Sequence, residues 1–155
     1  MTDIFKKKPF PFSILILIVL ITLHVVGSYF SWYWVYSWFD LVVHTFSGLW
    51  VSSVILWLAS VLGQINSLKE YKAKSFLIAF LAALLFGIAW EIFEYISQIT
   101  FSDASGYALN TALDLICDGA GGLLAYGYFI KRKKSNDGVC EVMHPFYNKT
   151  GMVKS

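Results

Sequence analysis

The chain reads as an all-α, polytopic membrane protein with four transmembrane helices and both termini in the cytoplasm. Three observations predict this. Of 155 residues, 57% are hydrophobic, 18% aromatic and only 14% charged, against about 25% charged in an ordinary soluble domain. Four apolar stretches, at residues 12–35, 39–62, 75–99 and 109–130, are long enough for the roughly 20 residues that a helix needs to cross a bilayer. All 12 Lys and Arg residues fall outside those stretches.

Each element follows from local composition. Residues 1–11 form a basic N-terminus with Lys6, Lys7 and Lys8. The first stretch has the outline of a secretory signal, and Val25-Val26-Gly27 could pass for a weak cleavage site. Its apolar character continues to Val35, however, and the aromatics near its end read as the anchor of a retained span. Tyr33, Trp34, Tyr36 and Trp38 then form a belt of the kind that sits at headgroups. The second and third stretches are joined by a segment carrying Lys69, Lys72 and Lys74. The third and fourth are joined by residues 100–108, where Asp103 reads as a solvated loop acid. Residues 131–155 read as a flexible polar tail in which Cys140 and His144 are incidental.

Short basic segments stay in the cytoplasm. The three Lys-rich segments fall on one side of a four-span chain, which sets the N-in, C-in topology of a multi-pass membrane protein. The domain plan is a basic N-terminus (1–11), one transmembrane domain (12–130) and a cytoplasmic tail (131–155). Two cysteines, Cys117 and Cys140, make no disulfide framework. The lipid bilayer is the expected surrounding, and nothing points to nucleic acid.

The acids carry the functional signal. Five of the ten carboxylates lie inside or at the edges of the spans: Asp40, Glu91, Glu94, Asp114 and Asp118. An ionisable group in hydrocarbon costs roughly 2.5–3.5 kcal/mol on the mildest scale and marks a functional site by default. None has a basic residue in its own span. At about 1.5 Å per residue, His44, Glu91, Glu94, Asp114 and Asp118 all fall within about 13 Å of the same outer surface, with Asp40 at the interface. Residues four apart share a helix face. That groups Asp40, His44, Gly48 and Ser52 on the second span. It groups Ala79, Ala83, Gly87 and Glu91 on the third, with Glu94 adjacent, and Asp114, Asp118 and Gly122 on the fourth. Small residues let membrane helices approach closely. The expectation is a bundle packed tightly through its inner half and opening outward into an acidic pocket, with His24 on the first span as a further wall.

Several carboxylates in one dry pocket must share protons or bind a cation. His44, Glu91, Glu94, Asp114 and Asp118 are the candidate ligands of a divalent metal, with His24 and Asp40 secondary. Zn, Mn or Fe would suit a set that includes His44, and Mg or Ca an all-oxygen set. There is no Gly-x-x-x-x-Gly-Lys loop and no Gly-x-Ser-x-Gly elbow. The sole arginine, Arg132, follows the last span, so the pocket lacks the usual planar clamp for phosphate and metal-free lipid phosphatase chemistry is disfavoured. Asp114-x₃-Asp118-Gly resembles the aspartate-rich helix of lipid-headgroup phosphotransferases, without the downstream Arg and second Asp pair.

Four segments in order, residues 23–27 (LHVVG), 39–48 (FDLVVHTFSG), 90–95 (WEIFEY) and 114–121 (DLICDGAG), resemble the YjdF-like family of bacterial inner-membrane proteins and, more distantly, VanZ-like membrane proteins. The resemblance covers roughly residues 20–128. It implies a polytopic membrane fold and a site drawn from His24, Asp40, His44, Glu91, Glu94, Asp114 and Asp118, and it names no reaction. Leu41 stands where that family often has Arg, and Asn110 where its last helix often has a further Asp.

The resulting reading is a binding or transport-type protein whose outward-facing acidic/His pocket holds a cation or exchanges protons. The alternative is a metal-dependent intramembrane enzyme acting on a lipid headgroup or lipid-linked precursor, with Glu91 or Glu94 as general base. A third class is an assembly protein whose acids bind a partner's basic helix. The small-residue faces also suit a homodimer.

Overall fold

The computed structural model describes residues 9–62, 68–97 and 106–147. Its elements are all helical: α1 (Pro9–Tyr29), a single-turn α2 (Trp32–Val35), α3 (Ser37–Val61), α4 (Leu68–Ser97) and α5 (Tyr107–Tyr147). No strand occurs among the described residues. Four of the helices are long and apolar enough to cross a membrane, over Pro11–Tyr29, Ser37–Val61, Lys72–Ser97 and Tyr107–Arg132. Polar and apolar positions are arranged inside out. Ile14, Ile18 and Val25 on α1, Leu81, Leu85 and Ile92 on α4, and Leu109 and Ile116 on α5 are exposed, whereas Ser52, Ser75, His44, Asp114 and Asp118 are buried. Such a surface is stable facing hydrocarbon, which has no water to compete with buried polar groups.

Two boundaries differ from the sequence expectation. The first stretch does not run unbroken to Val35. α1 ends at Tyr29, Ser31 takes the left-handed conformation (φ 58°, ψ 29°), and the chain restarts as α2. A serine rarely occupies that region. The clustered rings of Phe30, Trp32, Tyr36 and Phe39, with centroids 5.4–6.5 Å apart where they meet Trp32, supply the packing that offsets it. At the other end, α5 continues past Ile130 to Tyr147, so residues 131–147 are helical where a flexible tail is expected. Asp103 lies outside the described residues.

α3, α4 and α5 form the packed unit, and α1 lies along α3. Close approach is set by glycine. A Cβ at Gly48 on α3 would run into the Asp118 carbonyl of α5, and one at Gly121 on α5 into the Thr45 carbonyl and the Leu49 amide of α3. Gly122 sits against the Ala79 carbonyl and the Ala83 methyl of α4, each 2.9 Å from where its Cβ would be. Ser52 closes this three-helix junction by donating to the Ala79 carbonyl at 2.6 Å. Beyond it lies a dry core of Leu56, Ala59, Ala79, Ala125 and Phe129. Phe12 of α1 reaches α5 at this end, its ring stacked on Tyr128 at 4.0 Å. Antiparallel packing puts Lys72, Lys74, Lys131 and Arg132 at the same end. The opposite end, capped by α2, carries the acids.

Candidate functional site

His44 is the hub. It lies one turn beyond Asp40 on α3 and is 3% exposed. Its Nδ1 is 3.0 Å from Oδ2 of Asp118 on α5, a buried hydrogen bond linking residues 74 apart. Asp118 is fully buried because two glycines make room for it. Gly48 admits its backbone to α3, and Gly87 on α4 leaves the space that its carboxylate occupies, where a Cβ would meet Oδ2. Two of the small-residue rows read from the sequence thus end in a notch cut for one aspartate.

With Nδ1 engaged, the ring presents Nε2 to the remaining acids. Nε2 is 3.8 Å from Oδ1 of Asp40 and 4.0 Å from Oε1 of Glu91. Asp40, His44 and Asp114 each offer a ligand atom within 4.8 Å of one another. These separations exceed a hydrogen bond. They lie close to the roughly 3–4 Å that separates ligand atoms around a first-row ion bound at about 2 Å.

Glu91, Asp114 and Asp118 each have one oxygen held and one without a partner. Thr111 donates to Oε2 of Glu91 at 2.7 Å, and Asn110 donates to Oδ2 of Asp114 at 2.7 Å. Glu91 Oε1, Asp114 Oδ1 and Asp118 Oδ1 are buried without a hydrogen-bond partner, although the three residues are only 7%, 1% and 0% exposed. An unsatisfied buried acceptor costs about 1–3 kcal/mol, more when charged. Three in one cluster form a donor set suited to protons or a cation.

Glu94 and His24 stand apart from this group. Glu94 Oε1 accepts from Trp90 Nε1 at 2.8 Å, one turn away on α4. His24 Nδ1 shares a 2.9 Å hydrogen bond with the Tyr33 hydroxyl, which ties α1 to α2. Both residues line a cavity of about 770 Å³ at the α2 end, together with Asp40. The Tyr33 hydroxyl is pushed up to about 12 by burial, reinforced by the charges of Asp40 and Glu94, so it stays protonated at neutral pH.

A family model described as a predicted membrane protein family, DUF2238, matches residues 4–135. The chain belongs to this family. The match takes in all four spans and every acid of the DUF2238 site. No curated protein and no solved structure matches the chain.

All seven residues singled out from the sequence lie at one end of the DUF2238 bundle. Asp40, His44, Glu91, Asp114 and Asp118 form the inner cluster, with Glu94 and His24 in the adjoining cavity. Asp118 is the orienting partner of His44, and Asp40 faces the open nitrogen. Thr111 is not read from the sequence at all, Asn110 only as a departure from the family pattern, and Tyr33 only as part of the aromatic belt. Asn110 was readable in principle, since it precedes Asp114 by four residues on one face. Thr111 acts across to another helix, and Tyr33 acts across the α1–α2 break, neither of which leaves a local signal.

Proposed function

We propose that this protein binds a cation, or exchanges protons, at Nε2 of His44 and the carboxylates around it. The carrying observation is the His44–Asp118 hydrogen bond beneath a cluster of half-satisfied acids. A carboxylate on one ring nitrogen fixes the tautomer and raises the basicity of the other, the arrangement common behind metal-binding histidines. Asp40, His44 and Asp114 would hold a divalent ion, with Glu91 beside them; imidazole favours Zn, Mn or Fe over Mg or Ca. In the absence of an ion the same nitrogen would take a proton and relieve the surrounding negative charge.

The collected basic residues at the opposite end support an N-in, C-in orientation in the inner membrane, with the site toward the outer leaflet. The ordered motifs support a YjdF-like relationship within the family, which names no activity.

Elemental mass spectrometry of the full chain, purified in detergent and loaded with Zn²⁺ or Mn²⁺, tests the reading. It expects about one ion per chain, lost in His44→Gln. Failing that, it expects one proton taken up on acidification in wild type and not in the variant. The absence of both a bound ion and a His44-dependent proton would sink it.

The cavity that meets the site at Asp40 favours a second reading, a metal-dependent enzyme acting on a lipid headgroup or lipid-linked precursor. A bound divalent ion would supply a water of lowered pKa. Glu91, whose Oε1 faces His44 without a hydrogen bond, would hold the proton as general base. Undiminished lipid turnover in Glu91→Ala would rule this out.

A further inference from the structure

Two cavities near the α2 end adjoin at His24, Val43 and Trp90 and differ in character. The wide part, about 770 Å³, is lined by Tyr33, Trp34, Trp90 and Phe93 together with the carboxylates of Asp40 and Glu94. The narrow part, about 200 Å³, runs between α1 and α4. Its walls are Leu20 and Ile21 on one side and Phe86 on the other, and it ends at His44 and Asp118. It exists because α1 packs along α3 and leaves a gap toward α4.

Each part selects a chemistry. The slot lies within the membrane-spanning lengths of α1 and α4. There an empty gap forfeits the contacts of its lining, and the side formed by Leu20, Ile21 and Phe86 offers water no partner. Leu20, Ile21 and Phe86 suit a hydrocarbon chain from the bilayer. The wide part has two carboxylates, four aromatic faces and no Lys or Arg among its lining residues. Aromatic faces and carboxylates together recognise an ammonium group, and the carboxylates repel an anionic head.

We infer that the adjoining cavities bind a membrane amphiphile with an ammonium head, its chain entering sideways between α1 and α4 and its head resting against Glu94, Asp40 and the indoles of Trp34 and Trp90. This goes beyond cation or proton binding at His44. It shares Asp40 with that reading but stands on Ile21, Phe86 and Glu94, none of which the cation site uses.

The test uses the full chain in detergent micelles and three probes: lysophosphatidylethanolamine, lysophosphatidylglycerol with the same acyl chain, and free ethanolamine, followed by native mass spectrometry. The ethanolamine lysolipid should bind saturably and about tenfold more tightly than the glycerol one, with no measurable binding of ethanolamine alone. Ile21 is 53% exposed, so Ile21→Trp fills the slot without touching the core and should weaken lysolipid binding about tenfold. Ile21→Ala, which widens the slot, should bind at least as well as wild type. Glu94→Gln should remove the preference between the two heads. Asp114→Asn, which removes a ligand of the cation site but lines neither cavity, should leave lysolipid binding intact. Equal affinity of wild type for both lysolipids, binding of ethanolamine alone with the same affinity, or wild-type binding by Ile21→Trp would each overturn the inference.

Discussion

The two ends of this bundle are built from the same helix faces and differ in what those faces carry. Toward the basic end, the row Gly48–Ser52–Leu56 of α3 meets Ala79 and Ala83 of α4 and Gly122 and Ala125 of α5, and the helices close into a dry seam. Toward the α2 end, the same rows continue as Asp40 and His44, Glu91, and Asp114 and Asp118. Acids cannot pack as glycine and alanine do, so this end opens, and α1 stands off α4 to leave the cavity. Close packing at one end thus holds a charged, half-satisfied cluster together at the other. Asp118 sits at the join, pinned in the seam by Gly48 and Gly87 and turned toward His44.

Breaking the seam should have the largest effect. In Gly121→Ala the added methyl meets the α3 backbone at Thr45, and backbone cannot swing aside as a side chain does. Overpacking of this kind costs about 3 kcal/mol, enough to lower the thermal midpoint in detergent and disturb the site as well. A stability unchanged by Gly121→Ala would mean that α3 and α5 are not in this register.

Asp118→Asn should separate the two ends. The amide fits the same notch, so the seam and its thermal midpoint survive. Its carbonyl can still accept from His44 Nδ1–H but carries no negative charge behind the ring, and affinity for Zn²⁺ should fall about 10–100-fold, the usual effect of losing such a carboxylate. A competition titration with a Zn²⁺ dye reads this directly.

Ser52→Ala is milder. It removes the hydrogen bond to the Ala79 carbonyl and should cost about 1 kcal/mol, leaving cation affinity at the wild-type value.

Tyr33→Phe is the smallest perturbation and concerns only the open end. The Tyr33 hydroxyl titrates near 12 when folded, above its ordinary value of 10.0. Because the fold favours the neutral phenol, its contribution is fully present below pH 10.0. It declines as pH rises, since the unfolded chain ionises first, and levels off above about 12. The ultraviolet difference spectrum between wild type and Tyr33→Phe should show a tyrosinate that appears only near the upper end of that range.

The spans and the acid layer were legible because hydrophobic length and the i, i+4 spacing are local properties. Asp40 with His44, Gly48 and Ser52 reads as one face from sequence alone, and so does Asp114 with Asp118. What stayed hidden depends on how helices rotate against each other. The direction of His44 is set by Asp118 reaching through the gap at Gly87, a contact between three helices that no spacing encodes. The break at Ser31 was hidden because hydropathy continues through it: Phe30, Trp32 and Trp34 suit a helix and an interfacial turn equally well. The gap between α1 and α4 likewise follows from tertiary packing alone.

The central claim is that His44 is anchored through Nδ1 and acts through Nε2. Nitrogen-15 NMR of histidine-labelled protein, assigned with His44→Gln, tests it most directly. The account predicts that Nδ1 stays protonated toward Asp118 throughout. Nε2 should shift on Zn²⁺ addition, or on protonation as the sample is acidified. An Nε2 resonance that responds to neither, or a ring protonated on Nε2 with Nδ1 as the changing atom, would contradict it.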